Sequence, residues 1–491
     1  MQRSIAAHGG HHPRWHARAM YQLSRSIPAL PPVDVLVCGG GPAGYAAAIA
    51  AGRLGARVRL IDANTCLGGA ATTAWVNAID CMSDGERPSV GGVQREMVER
   101  IHAAGGMAPW VKPEHWTSAY LMPIRSTPEA QKRVLDAMAT EAGVEVHYLA
   151  RLAGVELASG RVEGLVVSGV DGLVYMPART VIDASGDAAV AHAAGVPCRE
   201  AKDAPSSLPA TMCFIISGIA PGAAKPKDHL DRAFAAGHFR RPDRHIYAQP
   251  IAEGTISFNA GHVYGMDPTN PASLAEGLRE GRLQAHEWAT FLHGYVPGYE
   301  HSHLVATAPM IGVRETRRII GEYELTWEDL VCARHHPDQI GVYNKEADIH
   351  PPRPDPETEA LTHRLRERKV GWLPKGRTYG LPYGITVPRG SVNLWVAGRC
   401  ASVDRLAHSS CRVQPACAMM GQAAGTAAVQ ALRTGQPAHD LDTEQLVTTL
   451  RAAGAILPQS ALSRTMTRGD GHGKPFAPVA TWDDEALRLL A

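Results

Sequence analysis

The sequence predicts an α/β protein: a doubly wound, Rossmann-like domain that is split along the chain, with an α+β domain inserted into it. Three features predict this fold. A valine-rich strand runs into a glycine-rich turn and a helix at 33–54, and two more buried strands end in glycine-containing turns at 180–187 and 392–399. Ligands of doubly wound sheets bind beyond the carboxyl ends of the strands, so we expect the three turns to share one crevice.

The first turn carries the spacing G-x-G-x-x-G at Gly39, Gly41 and Gly44. In this pattern the first glycine permits a tight turn, the second lets the backbone approach a pyrophosphate, and the third lets helix and strand pack closely. The following helix offers free N–H groups and the positive end of its dipole to phosphates. A second strand, 57–61, ends at Asp62, where an acid can bond ribose hydroxyls. The unit therefore predicts a dinucleotide site.

The composition of the 491-residue chain is typical of a globular protein of several domains, with 45% hydrophobic and 20% charged residues. A formal net charge of +1 gives no reason to expect nucleic acid as a partner, and no apolar run is long enough for a membrane span. The nine cysteines include no CxxC pair, which disfavours a zinc or dithiol centre. Residues 1–32 are expected to form a flexible arm, and the cytoplasm is the expected location.

Changes in sequence texture divide the rest of the chain. The expected units are the nucleotide-binding domain in two parts, 33–205 and 376–440, an inserted substrate domain, 206–375, and a mostly helical tail, 441–491. Periodicity predicts helices at 45–54, 91–104, 128–142, 272–292 and 413–432, and strands at 144–149, 161–168, 173–177, 210–218 and 254–259. The proline-rich segment 350–358 is expected to be a solvated loop.

Several motifs together make the chain similar to a known family. It resembles the FAD-dependent oxidoreductases of the glutathione-reductase type, a group related to the flavin subunit of heterodisulfide reductase. The resemblance implies FAD as the cofactor, a ligand long enough to span three strand ends, and it leaves the reaction open because the family carries no single activity. The segments that carry it are 39–44, 66–72, 181–187, 311–323, 394–399, 412–415 and 420–428.

The resemblance implies a role for each matched position. The glycine-rich turn would hold the pyrophosphate, the end of the second strand the adenosine ribose, and the 66–72 loop the ribityl chain and ring. The turns after the two later strands would contact the ribityl–phosphate stretch, and the helix after 412 would direct its N-terminus at the flavin N1–C2=O edge. The implied cofactor-binding residues are Gly39, Gly41, Pro42, Ala43, Gly44, Asp62, Ala63, Gly68, Gly69, Ala70, Ala71, Thr72, Gly186, Asp187, Gly398, Arg399, Arg412, Val413 and Gln414.

Two residues near the last motif are catalytic candidates. His408 lies in a loop, 403–411, that is expected to cover the flavin ring, and we predict an acid–base or substrate-orienting role for it. A purely structural histidine is the alternative. Arg412 either binds a substrate carboxylate through its forked guanidinium or stabilises the reduced flavin.

Other conspicuous residues have less specific interpretations. The charged segment 314–318 indicates either a substrate-anion site or, as we prefer, an ion-pair network that joins the two domains. His301 and His303 have no companion ligand at a telling spacing, so no metal is predicted. Tyr379 and Tyr383 either line the pocket or pack in the core.

No second glycine fingerprint follows the first, so a resident NAD(P)H domain is not expected. We predict an FAD-dependent oxidoreductase of the dehydrogenase or oxidase type, in which a hydride passes between a small or medium organic substrate and flavin N5. The electron acceptor would be O₂, a quinone or a partner flavoprotein, and a homo-oligomer stays open. The alternatives are a flavoenzyme with a non-redox reaction such as hydration or isomerisation, a nucleic-acid-modifying flavoprotein, and a flavin-containing assembly subunit.

Overall fold

The structure, a computed structural model, describes residues 24–201, 208–241 and 243–457. Most of the predicted N-terminal arm and the tail beyond residue 457 lie outside the described residues. Within them, the predicted tail contributes one helix, and no helix is both long and apolar enough to cross a membrane.

Every strand predicted in the first third of the chain is present, and three further strands, 78–79, 124–125 and 151–158, have no predicted counterpart. In chain order they are β1 Val33–Cys38, β2 Val58–Ile61, β3 Ala78–Ile79, β4 Ile124–Arg125, β5 Glu145–His147, β6 Arg151–Ala158, β7 Arg161–Gly169, β8 Gly172–Asp183, β9 Cys198–Glu200, β10 Phe214–Ser217, β11 Ile246–Ala252, β12 Thr255–Ala260, β13 His303–Thr307, β14 Arg317–Ile319, β15 Gln339–Tyr343, β16 Tyr379–Pro382 and β17 Leu394–Val396.

The helices include all five that periodicity predicts. In chain order they are α1 Pro42–Arg53, α2 Gly92–Ala103, α3 Glu114–Thr117, α4 Pro128–Glu141, α5 Ala189–Ala193, α6 Leu230–Ala235, α7 Pro271–Tyr295, α8 Trp327–Val331, α9 Pro356–Glu367, α10 Arg405–Cys411, α11 Gln414–Thr434 and α12 Thr443–Ala452.

The largest sheet combines a parallel part with an antiparallel part. Its order is β5-β2-β1-β8-β7-β6, and β17 pairs in parallel with β8. The long strand β8 belongs to both parts: its first half pairs with β7 in antiparallel fashion, and its second half pairs with β1 and β17 in parallel. The carboxyl ends of β1, β8 and β17 therefore lie side by side, as the three sequence turns predict.

Helices α1 and α11 pack against each other over the parallel strands. Their backbones come very close, because a Cβ on Gly421 would lie 2.0 Å from the carbonyl oxygen of Ala43, and one on Gly425 would lie 2.2 Å from that of Ala47. The alanine-rich composition of both helices allows this approach. The N-termini of α1 and α11 are thereby held at the same end of the sheet.

A second sheet has the order β11-β12-β10-β13, and α7 packs on it around a separate hydrophobic cluster that includes Phe214, Phe258 and Phe291. The predicted inserted domain, 206–375, is larger than this unit. Side chains between Leu325 and Leu373 pack in the same cluster as α1 and α11, and β15 pairs with β16. The two ends of 325–373 therefore belong to the core around α1 and α11.

Candidate active site

The turn after β1 is too tight for a side chain at two of its positions. Gly39 has a φ of +104°, and a Cβ there would lie 2.4 Å from the carbonyl oxygen of Ala184. A Cβ on Gly44 would lie 1.7 Å from the carbonyl oxygen of Gly39. At Gly41 a Cβ would meet only the Cα of Gly69, at 4.0 Å. Gly41 therefore borders open space, as a backbone that approaches a pyrophosphate must.

The N-terminus of α1 has no side-chain cap within the described residues, and its first turn contains no acidic residue. Pro42 and Ala43 start the helix, where proline loses no hydrogen bond. In contrast, the side chains of Asn270 and Asp442 cap α7 and α12. The uncapped end of α1 leaves N–H groups and a positive dipole for an anion such as a phosphate.

Asp62 follows β2 and holds the glycine-rich turn in place. Its Oδ2 accepts a hydrogen bond from the N–H of Gly40 at 2.5 Å, and its Oδ1 accepts two from Asn64, at 2.7 and 2.8 Å. The carboxylate is buried, and the adjoining Ala63 is half-buried. A carboxylate has about four acceptor positions, so Asp62 keeps capacity for a ribose hydroxyl.

The 66–72 loop packs directly against this turn. The N–H of Gly68 donates to the carbonyl of Gly40 at 2.9 Å, and a 3-10 turn, Gly69–Ala71, follows. The first two residues of that turn are half-buried at the crevice. Behind them, the buried hydroxyl of Thr72 donates to the carbonyl of Leu67 at 2.7 Å. Hydrogen bonds thus stabilise the loop on its buried side, and its other side faces the crevice.

The turns after β8 and β17 are joined by Arg399. Its Nε–H donates to the carbonyl of Gly186 at 2.9 Å, and its guanidinium pairs with Asp187 at 2.7 Å. Asp187 also accepts a hydrogen bond from the hydroxyl of Thr316 at 2.9 Å. Gly398, with a φ of +96°, brings the second turn against α1. The structure therefore brings together the residues predicted to contact the ribityl–phosphate stretch.

The start of α11 also has no side-chain cap among the described residues, and Val413 is its N-cap. The amide of Gln414 donates to the carbonyls of Val76 and Ala78, at 2.8 and 2.9 Å, and so ties the segment before β3 to the helix. Arg412 comes just before, and its Nε is buried without a hydrogen-bond partner in the described chain. The uncapped helix end and the unpaired Nε–H fit a polar or anionic group, as the flavin N1–C2=O edge would be.

His408 lies on α10, and only 1% of its surface is exposed. Its Nε2–H donates to the carbonyl of Arg399 at 2.7 Å. Burial, with Arg318 and Arg412 nearby, holds the pKa of His408 well below its usual range. A neutral imidazole in this position supports the turn after β17 through its Nε2–H, whereas its Nδ1 is buried without a hydrogen-bond partner among the described residues. The contact of Nε2 favours the structural alternative, and the acid–base role stays a prediction.

A polar segment that sequence reasoning overlooked borders the start of α11. The guanidinium of Arg412 pairs with Asp348 at 2.9 Å, and the same Oδ2 of Asp348 lies 3.1 Å from Nε2 of His350. His350–Pro352 are buried, so the prediction that 350–358 is solvated is wrong for these residues. Their side of the loop packs toward the second sheet, which the proline content alone could not indicate.

The charges of this segment compensate one another. Lys345 Nζ lies 2.6 Å from Glu346 Oε1 and 3.5 Å from Asp80 Oδ1. Burial raises the pKa of Asp80, and the neighbouring carboxylates raise the pKa of Lys345 against the opposing effect of burial. Burial would also raise the pKa of Asp348, but His350, Arg412 and Lys345 together hold it well below its usual range. A lysine cation and the Asp348 carboxylate thus stand at the crevice near neutral pH.

The structure also collects histidines that are far apart in the chain. One ring nitrogen from each of His245, His262 and His350 lies within 4.8 Å of the other two. His301 and His303 are exposed and are not part of this group. The prediction of no metal rests on the spacing of histidines along the chain. Spacing cannot indicate this group, because its three residues come from a hairpin and a distant loop.

The remaining alternatives concern packing. Glu315 is buried and pairs with Arg318 at 2.9 Å and with Arg405 at 3.1 Å, which is the ion-pair network preferred for 314–318. Tyr379 and Tyr383 are buried, and their hydroxyls contact Ser410 and the carbonyl of Ala438. Packing in the core is therefore the correct interpretation of both tyrosines.

Comparison with known proteins identifies the family. A family model described as FAD dependent oxidoreductase matches residues 34–450. Digeranylgeranylglycerophospholipid reductase 2 of Methanopyrus kandleri is 30% identical over 247 residues, which are 46% of this chain and 54% of that protein. The chain therefore spans about half the length of the curated relative it matches.

Two solved structures that resemble this chain share little sequence with it. A geranylgeranyl bacteriochlorophyll reductase-like protein from Thermoplasma acidophilum is 13% identical, with a TM-score of 0.39, and the match covers 86% of this chain and 82% of that one. A myxobacterial FAD-dependent chondrochloren halogenase is 14% identical, with a TM-score of 0.42 and coverages of 86% and 79%. Likeness at this level does not indicate a substrate.

Proposed function

The chain belongs to the FAD dependent oxidoreductase family, and we propose that it oxidises or reduces a small, polar organic substrate beside the start of α11. One observation carries the proposal: the Arg412–Asp348–His350 chain of contacts, at 2.9 and 3.1 Å, stands next to an uncapped helix end. FAD is the cofactor of this enzyme class, and when bound it supplies the redox chemistry by exchanging a hydride with the substrate at N5.

The residues that would hold FAD are those of the glycine-rich crevice. Gly41 and the N-terminus of α1 would receive the pyrophosphate, and Asp62 the ribose. The 66–72 loop and Arg399 would flank the ribityl stretch. The protein contributes position and electrostatics: the N-termini of α1 and α11 both favour negative charge, which a dinucleotide carries at the phosphates and a reduced flavin at its ring.

Arg412 is the residue we assign to the substrate or to the flavin edge. Asp348 occupies one end of its guanidinium, and the buried Nε–H has no partner within the described residues. An unpaired buried donor is costly, about 1–3 kcal/mol, so a ligand acceptor at this point would be bound favourably. We assign His408 a positioning role instead, because it supports the carbonyl of Arg399 from a buried site.

The unit built on the second sheet would serve as the substrate domain. Asp80 and the segment after β15 give the crevice a charged border, with Asp80, Lys345 and Asp348 partly exposed. A charged border favours a polar substrate over the lipid chain in the name of the Methanopyrus kandleri relative. We expect O₂, a quinone or a partner flavoprotein as the second electron carrier.

Anaerobic titration of the purified holoprotein tests this proposal. Small hydroxy acids, amino acids and amines would be added one at a time, together with a geranylgeranyl lipid. We expect a polar compound to bleach the visible flavin band, and Arg412→Gln to slow that bleaching about 10- to 1,000-fold with FAD retained. The control Arg161→Gln, a partly exposed side chain at the start of β7, should behave as the parent protein.

Other outcomes would redirect the proposal. Conversion of a substrate while the flavin stays oxidised would indicate the non-redox alternative. Bleaching by the geranylgeranyl lipid alone would replace the polar substrate with an isoprenoid. Tight RNA binding with a steep salt dependence would favour the nucleic-acid-modifying alternative.

A further inference from the structure

Three imidazole rings meet at the edge of the second sheet. Ring centroids of His245 and His262 are 4.4 Å apart, and His350 lies 5.2 and 5.0 Å from them. His262 and His350 are buried, and His245 is half-buried. The first two flank the ends of the β11–β12 hairpin, where the N–H of Gly261 donates to the carbonyl of His245 at 2.9 Å. The hairpin and a distant loop therefore hold the three rings together.

Carboxylates fix the outer nitrogens of two of these rings. Nδ1 of His262 lies 3.2 Å from Oδ1 of Asp243, and Nε2 of His350 lies 3.1 Å from Oδ2 of Asp348. A carboxylate only accepts hydrogen bonds, and the Tyr264 hydroxyl, 3.3 Å from the same Nδ1 of His262, can accept one as well. Each imidazole therefore donates its N–H outward. The opposite nitrogens then carry lone pairs, and these two, Nε2 of His262 and Nδ1 of His350, are 2.9 Å apart.

Two lone pairs at this distance repel each other unless a cation lies between them. A shared proton could do this for a pair. The third ring changes the balance, because Nε2 of His245 donates to Oδ1 of Asn259 at 3.1 Å and leaves Nδ1 with a lone pair as well. One proton satisfies two nitrogens, whereas a metal ion satisfies three. An outward N–H held by a carboxylate or carbonyl is also what metal-bound histidines show.

We propose that His245, His262 and His350 bind one divalent transition-metal ion, with Zn²⁺ as the best match. Neutral imidazoles suit Zn²⁺, and three histidines leave a fourth position for a water or a substrate oxygen. Zn–N bonds of about 2.0–2.1 Å place the nitrogens of a tetrahedral site about 3.3 Å apart. The 2.9 Å pair has to open slightly, and His245, the most exposed of the three, has to move inward.

One carboxylate, that of Asp348, links the proposed metal position to the crevice. Oδ2 of Asp348 contacts both His350 and Arg412, so the ion lies a short chain of contacts from the start of α11. The buried Arg314 adds a further positive charge, which favours an anionic oxygen as the fourth ligand. A carboxylate or alkoxide oxygen of the substrate fits this position. This last step rests on the proposed function, but binding of the ion does not.

Metal content of the full-length holoprotein tests the site directly. The protein would be stripped with a chelator, dialysed against Zn²⁺ and analysed for metal and FAD. We expect about one retained Zn²⁺ per chain in the parent protein, and loss of this ion in His262→Gln and in His245→Gln. The exposed His301→Gln is the matched control and should retain both Zn²⁺ and FAD.

Variants of the two carboxylates that contact the cluster, Asp243 and Asp348, distinguish a metal site from a proton shared between two histidines. Asp243→Asn and Asp348→Asn should weaken Zn²⁺ about 10- to 100-fold without abolishing its binding. X-ray absorption at the zinc edge should show three imidazole nitrogens. The proposal is overturned if the parent protein retains no stoichiometric Zn²⁺, or if the ion survives both histidine substitutions. Neither result depends on flavin bleaching, so failure here is distinct from failure of the proposed redox activity.

Discussion

Two polar regions meet near Arg412, and they differ in the chemical groups that form them. The glycine-rich crevice uses backbone N–H groups, helix ends and positions where no Cβ fits, such as Gly39 and Gly44. The histidine cluster uses side chains held by other side chains, as Asp348 holds His350. A backbone-built site tolerates little change where main chain encloses the glycine, as at Gly39 and Gly44. A side-chain-built site can change one residue at a time, so substrate choice is expected to vary there.

The largest expected effect comes from filling the enclosed part of the crevice. Gly44→Val would place a Cβ 1.7 Å from the carbonyl oxygen of Gly39, and no flexible side chain there can move away. We expect a loss of stability of about 4 kcal/mol or more, and protein that is insoluble or free of FAD. Soluble yield and the FAD-to-protein absorbance ratio measure it. Gly294→Ala, at a helix position with nothing within 4 Å, should retain FAD and gain slightly in stability.

Substitution of a second glycine, Gly41, should weaken cofactor binding and leave folding nearly unchanged. Gly41→Ala meets no protein atom closer than 4.0 Å and keeps an extended backbone that any residue adopts. The apoprotein should unfold at nearly the parent temperature, whereas the methyl group should weaken FAD about 10- to 100-fold, at about 1.4 kcal/mol per tenfold. Apoprotein melting and fluorescence titration with FAD measure the two effects. Unchanged affinity would mean that the pyrophosphate does not lie at Gly41.

A variant of His408 tests whether this side chain supports the glycine-rich crevice without taking part in the reaction. Its folded pKa lies well below the usual value of about 6.5, so the unfolded chain takes up a proton first as the pH falls. Stability is therefore complete above about pH 6.5 and is lost below it, by about 1.4 kcal/mol per pH unit for one such group. His408→Gln keeps a donor for the carbonyl of Arg399 and removes the titration. Denaturant unfolding between pH 7 and 5 should fall less steeply in the variant, and equal slopes would contradict the assignment.

The smallest expected effect concerns a capped helix outside both regions. The side chain of Asn270 accepts hydrogen bonds from the N–H groups of Ala272 and Ser273 at the start of α7. Asn270→Ala should cost about 1 kcal/mol of unfolding free energy. FAD content should not change, since α7 belongs to the second sheet. A coupled loss of FAD would show that the two regions are less independent than their construction indicates.

The predictable parts of the molecule are those encoded locally. The 91–104 and 128–142 patterns correspond to α2 and α4 within a residue or so, because an apolar face repeats along each helix. The glycine-rich turn is predictable for the same reason: strand, glycines and helix are contiguous. No pattern predicts β6, because all of its residues are partly or fully exposed and alternate weakly.

The substrate side resisted prediction because its residues meet only after folding. His262 and His350 are separated by 88 positions, so no spacing rule joins them. Proline at 351 and 352 suggested a solvated loop, although burial depends on what packs against the segment. The place of His408 between two motifs predicts a role for it at the site, but position along the chain does not show that its imidazole points at the carbonyl of Arg399.

The pairing of β17 with β8 has a consequence for how the chain is made. Trp395 lies opposite Ile182, so roughly two hundred residues must leave the ribosome after β8 before its partner strand exists. At about 5–20 residues per second, the edge of β8 waits on the order of 10–40 s, and the N-terminus of α11 emerges later still. During that interval the nascent chain has an unpaired apolar edge and half a cofactor site. Translation pauses or chaperones that cover this edge are therefore expected to govern the yield of loaded enzyme.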